Sequence, residues 1–394
     1  MYKSLIQPGS QLEKAALVTL EAFRKINQTF PNTPEIQEWL SQGKKIFGWL
    51  CTYVPEEILH AGGILPIRIT GYDREAELDD GNAYLYNNNC SFSRSCLQMG
   101  LTNDYQFLDG VVGGSTCDGA RRLFDLWREY IGTPFHHVIT VPRKYTDSAH
   151  RLYLAEIELF KSHLEEYLGL KITDEALKDS IELYNQTRSL LRELYELRKR
   201  PNPPISGAQV MQVIDACFRM PKEIFNSYLK KLLQELKSSK VSYQGRARLM
   251  LSGSVLANPD FVAAIEQQGG LIVADELCTS TRYWGDMVER RNGESPVSAL
   301  ARRYLSNYPC ARMFPSEERF RRIVKTAQDC KVEGVISEII RYCVPYAHDL
   351  PLLTKRLADV NIPVLSIDLE YGSSGSGQIA TRVQAFLEMI EARK

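Results

Sequence analysis

The stretch Lys45-Ile46-Phe47-Gly48-Trp49-Leu50-Cys51-Thr52-Tyr53-Val54-Pro55-Glu56-Glu57-Ile58-Leu59 carries the fold in miniature. Lys45 to Leu50 reads as a buried strand. Pro55 punctuates it, and Glu56 and Glu57 stand where a helix should begin, with charge compensation at a helix N-terminus sufficient to explain them. Cys51 lies in the turn. The same placement recurs: Cys117 follows Gly110-Val111-Val112-Gly113-Gly114, Cys278 follows Leu271-Ile272-Val273-Ala274, and Cys343 follows Val335-Ile336. In open α/β sheets ligands collect outside the carboxyl ends of the strands, so thiols distant in sequence are expected to face one crevice. An iron–sulfur cluster is the object that several such thiolates would share.

Outward from this stretch, strand and helix signals alternate. Residues up to about 40 read as helical, with Leu12, Ala15, Ala16, Leu20, Ala22 and Phe23 on one face and Pro31 closing the segment. Further strands are expected at Leu65 to Thr70, Leu108 to Gly113 and His137 to Val141. From about Ser148 to Arg200 the pattern turns to long amphipathic helices. Arg198-Lys199-Arg200-Pro201-Asn202-Pro203-Pro204 reads as a linker, because three prolines in four residues cannot continue a helix. Beyond it, strands at Ala247 to Ser252, Leu271 to Asp275, Gly334 to Ile339 and Val364 to Leu369 alternate with helices near 259–268, 297–306, 316–330 and 350–359. The expectation is an α/β chain with two Rossmann-like, flavodoxin-like parallel-sheet lobes, an added helical layer, and a cluster in the cleft between the lobes. Its segments are 1–44 helical, 45–147 the first lobe, 148–204 the helical connection and linker, and 205–394 the second lobe.

A chain of 394 residues is long enough for two or three cores. Lysine plus arginine equals aspartate plus glutamate at 48 each, so composition supplies no field that draws nucleic acid or anionic membrane. The N-terminus, Met1-Tyr2-Lys3-Ser4-Leu5-Ile6-Gln7-Pro8, lacks an apolar signal core, and no stretch has the roughly 18 uninterrupted apolar residues of a membrane span. A soluble cytoplasmic protein is expected. Nine cysteines without an export signal argue against a disulfide framework and leave metal ligation, redox chemistry or burial.

No C-x-x-C is present, and Cys90 to Cys96 is too loose a pair to mark a ferredoxin-like or zinc-ribbon site. Context argues more strongly than spacing. Cys117 lies in Gly113-Gly114-Ser115-Thr116-Cys117-Asp118-Gly119, a small-residue turn that exposes amides. Cys90 follows Asn87 to Asn89, and Cys310 follows Tyr308-Pro309. Cys217 and Cys330 fall within helical patterns and read as inert core thiols. His60, His348 and the pair His136-His137 are candidate proton relays because imidazole titrates near neutrality, although a surface or helix-face role suffices for each. Arg94, Arg121, Arg122, Arg282 and Arg312 lie within a few residues of a proposed ligand, where positive charge would offset an anionic cluster. Solvated helix faces suffice for Arg121 and Arg122.

From Trp49-Leu50-Cys51 to Gly62-Gly63 the chain resembles the opening motif of the 2-hydroxyacyl-CoA dehydratase and benzoyl-CoA reductase subunit family. The likeness continues through Cys90-Ser91-Phe92-Ser93-Arg94-Ser95, Ser115 to Arg122, Tyr342-Cys343-Val344-Pro345, and Gly375-Ser376-Gly377-Gln378 with Thr381 to Phe386. The resemblance implies a [4Fe-4S] cluster on Cys90, Cys117 and Cys343 with the fourth iron open for chemistry. Three further cysteines stand in motif-like surroundings: Cys51, Cys278 in Asp275 to Trp284, and Cys310 in Pro309-Cys310-Ala311-Arg312-Met313. Three plus three matches the branch of double-cubane cluster proteins, which implies an [8Fe-9S]-type cluster and a homodimer. It also implies electrons from a separate ATP-hydrolysing iron–sulfur activator, used to reduce small molecules at low potential. Cys96 is the doubtful member, a substitute for Cys90 or a structural thiol.

A phosphate-binding G-x-x-x-x-G-K-[ST] loop is absent; the nearest pattern, Gly372 to Gly377, ends in Gln378 where lysine is required, so ATP is expected to be hydrolysed elsewhere. That glycine–serine run reads as a strand-to-helix turn, or as amides that hold a sulfide or an anionic substrate. Three readings stand: the double-cubane reductase, a conventional dehydratase or aromatic-CoA reductase subunit with one cubane and a bound acyl-CoA, and a two-lobed electron relay without turnover.

Overall fold

In the computed structural model, residues 11–256, 259–373 and 377–394 are described. Among these described residues eight strands form two sheets: β1 (Ile46–Leu50), β2 (Leu65–Arg68), β3 (Gly110–Ser115) and β4 (Phe135–Thr140), then β5 (Ala247–Gly253), β6 (Gly270–Glu276), β7 (Gly334–Ile340) and β8 (Val364–Leu369). The orders are β2-β1-β3-β4 and β6-β5-β7-β8, with every pairing parallel. The protein is therefore α/β with two Rossmann-like lobes of the same winding. In each sheet the order reverses between the first and third strands, and ligands bind at such switch points. Leu50 pairs with Gly113 and Gly253 with Glu338, so the carboxyl ends of both switch-point pairs lie level. Gly113 is required there: a side chain would run into the Phe124 ring.

All eight expected strands are present, with edges displaced by a residue or two. β4 starts at Phe135 rather than His137 and β3 ends at Ser115 rather than Gly113, because ladder pairing (Gly110 with Phe135, Ser115 with Thr140) sets the ends, not the apolar run. The helix expected near 350–359 begins at Val344. Pro345 occupies its first turn, where the missing N–H costs nothing, and Pro351 is carried inside.

The helical layer draws on several stretches. The helices Asp147–Leu168, Asp174–Arg198, Gly207–Cys217 and Lys222–Ser238 share one apolar core with the helix Gln11–Thr29, whose Phe23 ring lies 5.6 Å from that of Phe225. Residues 199–206 carry no helix. A second core joins Leu50, Val111 and Phe92 of the first lobe to Val255, Ile340 and Tyr371 of the second, so the lobes meet at their strand ends. The N-terminal residues Met1 to Pro8, and Ser374 to Ser376 of the glycine–serine turn, lie outside the described residues, as do the side chains of Leu12, Ala15 and Ala16. Among the described residues no helix is long and apolar enough to cross a membrane.

Candidate metal centre

Cys51 follows β1 with φ 88, a left-handed backbone that costs a residue bearing a Cβ roughly 1–2 kcal/mol. Tyr342, just before Cys343, is left-handed too, at φ 65. Cys90, Cys117 and Cys343 are the N-cap residues of the helices Ser91–Leu101, Asp118–Leu126 and Val344–Ala358. An N-cap sulfur stands beside unpaired amides at the positive end of a helix. Burial nevertheless dominates. It pushes Cys90 above the ordinary thiol value against the amides of Ser93 and Phe92, Cys117 up to about 12 against that of Ala120, and Cys343 well up against that of Tyr346. A metal arriving here must displace protons, as thiolate ligation requires.

Cys278 sits between β6 and the short helix Thr281–Trp284, and its sulfur pairs with that of Cys310. Interaction with Cys310, then Arg282 and Arg68 acting against burial, lowers the Cys278 thiol, while the same interaction and burial push Cys310 up. Arg282 Nη2 is 3.1 Å from Cys278 Sγ, and Cys310 Sγ is 4.0 Å from Tyr346 Oη.

Cys51, Cys90, Cys117, Cys278 and Cys343 pack against the core where the lobes meet, and Cys310 packs with Cys51 against that of the helical layer. Cys117 lies in the field of Cys90, Cys51 and Cys278, and Cys343 in that of Cys90, Cys117 and Cys278. All six are half-buried, whereas Cys96, Cys217 and Cys330 are buried in the cores. Among the described residues no three His, Cys, Asp or Glu side chains stand close enough to hold one ion. A cluster several irons across takes its thiolates from the walls of a wider volume.

The buried arginines of this region are engaged within the protein. Arg282 is buried against Glu276, which also accepts from Arg319 Nη2 at 2.9 Å, and Arg319 pairs with Asp349. Arg312 stitches the Cys310 loop to the strand ends of the first lobe by donating to Thr116 O at 3.2 Å, Pro142 O at 3.1 Å and Val141 O at 2.9 Å. Arg94 is spent on Asn89 O, Asn82 and Glu370. Arg121 and Arg122 are exposed on their helix.

The histidines are engaged elsewhere. His60 bonds Ser180 Oγ at 3.0 Å and Glu223 at 3.1 Å in the helical layer. His136 bonds Phe124 O at 3.0 Å, His137 lies 3.3 Å from His163, and His348 is exposed.

Three residues at the centre escaped the sequence reading. Arg68 ends β2, Tyr346 closes over Arg282, and Glu338 of β7 is 1% exposed with an unpartnered Oε2 and is pushed by burial up to about 8. Ser254 backs onto Glu338, and its carbonyl accepts the Cys278 N–H at 2.7 Å. A lone charge inside an all-buried strand was the available signal for both Arg68 and Glu338. A cavity of about 590 Å³ opens where the two lobes meet, lined by Asn82, Asn87, Ser91 and Arg94 of the first and Arg341, Tyr342 and Glu370 of the second; none of the cysteines is in its wall.

Two parallel-sheet lobes that meet at their strand ends define a two-lobed α/β protein. The chain belongs to the family of 2-hydroxyglutaryl-CoA dehydratase, D-component, whose model matches residues 51–390. It is 29% identical to the putative dehydratase subunit YjiM of Escherichia coli K12 over 94% of this chain and 97% of that one. It is 28% identical to a subunit of the benzoyl-CoA reductase of Thauera aromatica over 88% and 91%. To (R)-2-hydroxyglutaryl-CoA dehydratase, subunit beta, of Acidaminococcus fermentans it is 25% identical over 94% and 98%. These relatives are enzyme subunits, and the family points to a dehydratase or reductase role.

Proposed function

We propose that this chain is an iron–sulfur reductase holding a double-cubane [8Fe-9S]-type cluster on Cys51, Cys90, Cys117, Cys278, Cys310 and Cys343. It reduces small molecules as a homodimer, with electrons from a separate ATP-hydrolysing iron–sulfur activator. The observation that carries the reading is the gathering of six half-buried thiols from both lobes while three others lie in the cores. Bound there, the cluster would supply electrons at low potential. The chain's own part is to hold and shield. The N-caps aim helix amides at three sulfurs, Arg282 braces Cys278, and Leu50, Val111, Val255 and Ile340 keep water from the interior side.

A second reading is a dehydratase or benzoyl-CoA reductase subunit with one [4Fe-4S] cluster on Cys90, Cys117 and Cys343 and an acyl-CoA beside it. It is favoured by those three alone being N-caps, by the Cys278–Cys310 pair satisfying itself, and by the acyl-CoA substrates in the relatives' names. Iron and sulfide content with EPR spectra, measured on anaerobically purified protein and its six single Cys→Ala variants, separates them. About eight irons per chain, reduced by every substitution, is expected. About four irons, unchanged by Cys51→Ala, Cys278→Ala and Cys310→Ala, would establish the second reading. Cluster binding with no reduction of any small molecule, activator and ATP present, would leave an electron relay.

A further inference from the structure

Arg68 is 2% exposed, yet among the described residues no carboxylate lies within ion-pair distance of it and its Nε has no hydrogen-bond partner. Among the described residues its one side-chain hydrogen bond runs from Nη1 to the carbonyl oxygen of Cys278, 3.3 Å away, across from the first lobe to the second. The guanidinium lies over two adjoining aromatic rings, 5.0 Å from the centre of Trp49 and 4.9 Å from that of Phe218. Arginine keeps its proton under all ordinary conditions, so burial cannot be relieved by neutralisation. A buried cation without an anion costs several kcal/mol, and such a cost calls for a compensating anion.

Among the described residues the nearby carboxylates, Glu56 and Asp215, stop short of an ion pair with Arg68. Glu56 has Lys222 Nζ at 3.5 Å from its Oε2. Glu276 and Asp349 are matched by Arg282 and Arg319, two carboxylates for two guanidinium groups. Cys278 Sγ takes its hydrogen bond from Arg282. What faces Arg68 beyond these is the thiol pocket itself, where Cys278 and Cys51 are the groups nearest in charge.

We propose that Arg68 is the fixed counter-charge of the anionic cluster, a positioning residue that steadies its reduced form and clamps the Cys278 loop of the second lobe to the first. This rests on the reading of the six cysteines as cluster ligands. Adding an electron makes the cluster more negative, so a nearby fixed cation favours the reduced state and raises the potential. Trp49 and Phe218 hold the group in place and thin the water that would screen it.

The test is a redox titration followed by EPR on the anaerobically purified full chain, reconstituted with ferrous iron and sulfide, as wild type, Arg68→Met and Arg68→Lys, with iron counted and far-ultraviolet circular dichroism recorded for each. Arg68→Met keeps much of the length and apolar contact of the side chain without its charge. It should fold, hold iron, and show the reduced form disfavoured at least tenfold at a given potential, about 59 mV lower for a one-electron couple, whereas Arg68→Lys stays near wild type. Loss of iron from a folded Arg68→Met, restored by Arg68→Lys, supports the same role. An Arg68→Met protein with wild-type iron and wild-type potential overturns it while leaving the cluster reading intact. A wild type that binds no iron removes both at once. If Arg68→Met fails to fold, Arg68→Gln, uncharged but planar at its end, is judged by the same potential.

Discussion

Replacing Arg188 with methionine opens a clasp that ties three parts of the molecule together. Arg188, on the helix Asp174–Arg198 of the helical layer, places Nη2 2.5 Å from Glu57 Oε1, and Tyr304 Oη donates to Glu57 Oε2 at 2.6 Å. Glu57 belongs to the helix that follows the Cys51 turn, and Tyr304 to the helix that precedes Cys310. Arg188 is 1% exposed and Glu57 0%, so methionine strands a carboxylate in the interior. Removing one partner of such a pair costs about 3–5 kcal/mol, a large share of the roughly 5–15 kcal/mol that holds a folded protein.

The pH dependence fixes the sign. Burial raises the Glu57 carboxyl, but Arg188 and Arg303, with the Tyr304 hydroxyl, outweigh it and hold the group below its ordinary value. In the wild type this contribution is complete above the unfolded value of about 4.3 and is lost as pH falls through the lower native one. Without Arg188, burial tips the native carboxyl upward, so the variant suffers most at neutral pH and its deficit narrows as pH falls toward about 4.5. Urea unfolding of iron-free protein by circular dichroism at pH 7 and pH 5 reads both effects, and Glu57→Gln with Arg188→Met should recover more than half of the loss. A wild-type midpoint for Arg188→Met at pH 7, or a deficit that widens in acid, would refute the clasp.

Two other expectations follow from backbone and burial. Because Cys51 is left-handed at φ 88, Cys51→Gly should be more stable than Cys51→Ala by about 1 kcal/mol while both lose iron alike; equal melting of the two would show that the turn stores no strain. His137 is held down to about 4 by burial and by His163, so between pH 6.5 and 4 the unfolded chain binds the extra proton and stability rises with pH. His137→Asn should flatten that part of the stability profile by up to about 1.4 kcal/mol per pH unit. An unchanged slope on denaturant unfolding would place the titration elsewhere.

Much of the fold was legible locally. Short apolar runs, most of them bounded by glycine or proline, marked the strands, since a strand buried on both faces is apolar along its length. Edges slipped where pairing set the end, as at Phe135 and Ser115. The helix Val344–Ala358 was read late because Pro345 and Pro351 look like breakers, although the first tolerates a helix start. Cys51, Cys117, Cys278 and Cys343 stand out in sequence because each follows a strand. Arg68, Glu338 and Tyr346 do not, because each is an ordinary residue whose meaning comes from what lies across from it.

What the sequence by itself determined is the alternation of strand and helix, the two-lobed α/β class and the position of each proposed cysteine ligand in a turn, all consequences of periodicity and chain-breaking residues acting over a few positions. Tertiary structure alone decided which charges meet. Glu57 finds Arg188 at a separation of 131 residues and Tyr304 at 247, and Arg68 reaches Cys278 across 210. Such pairings depend on how the helical layer and the two sheets dock, and the cost of burying each charge is settled only when its partner arrives.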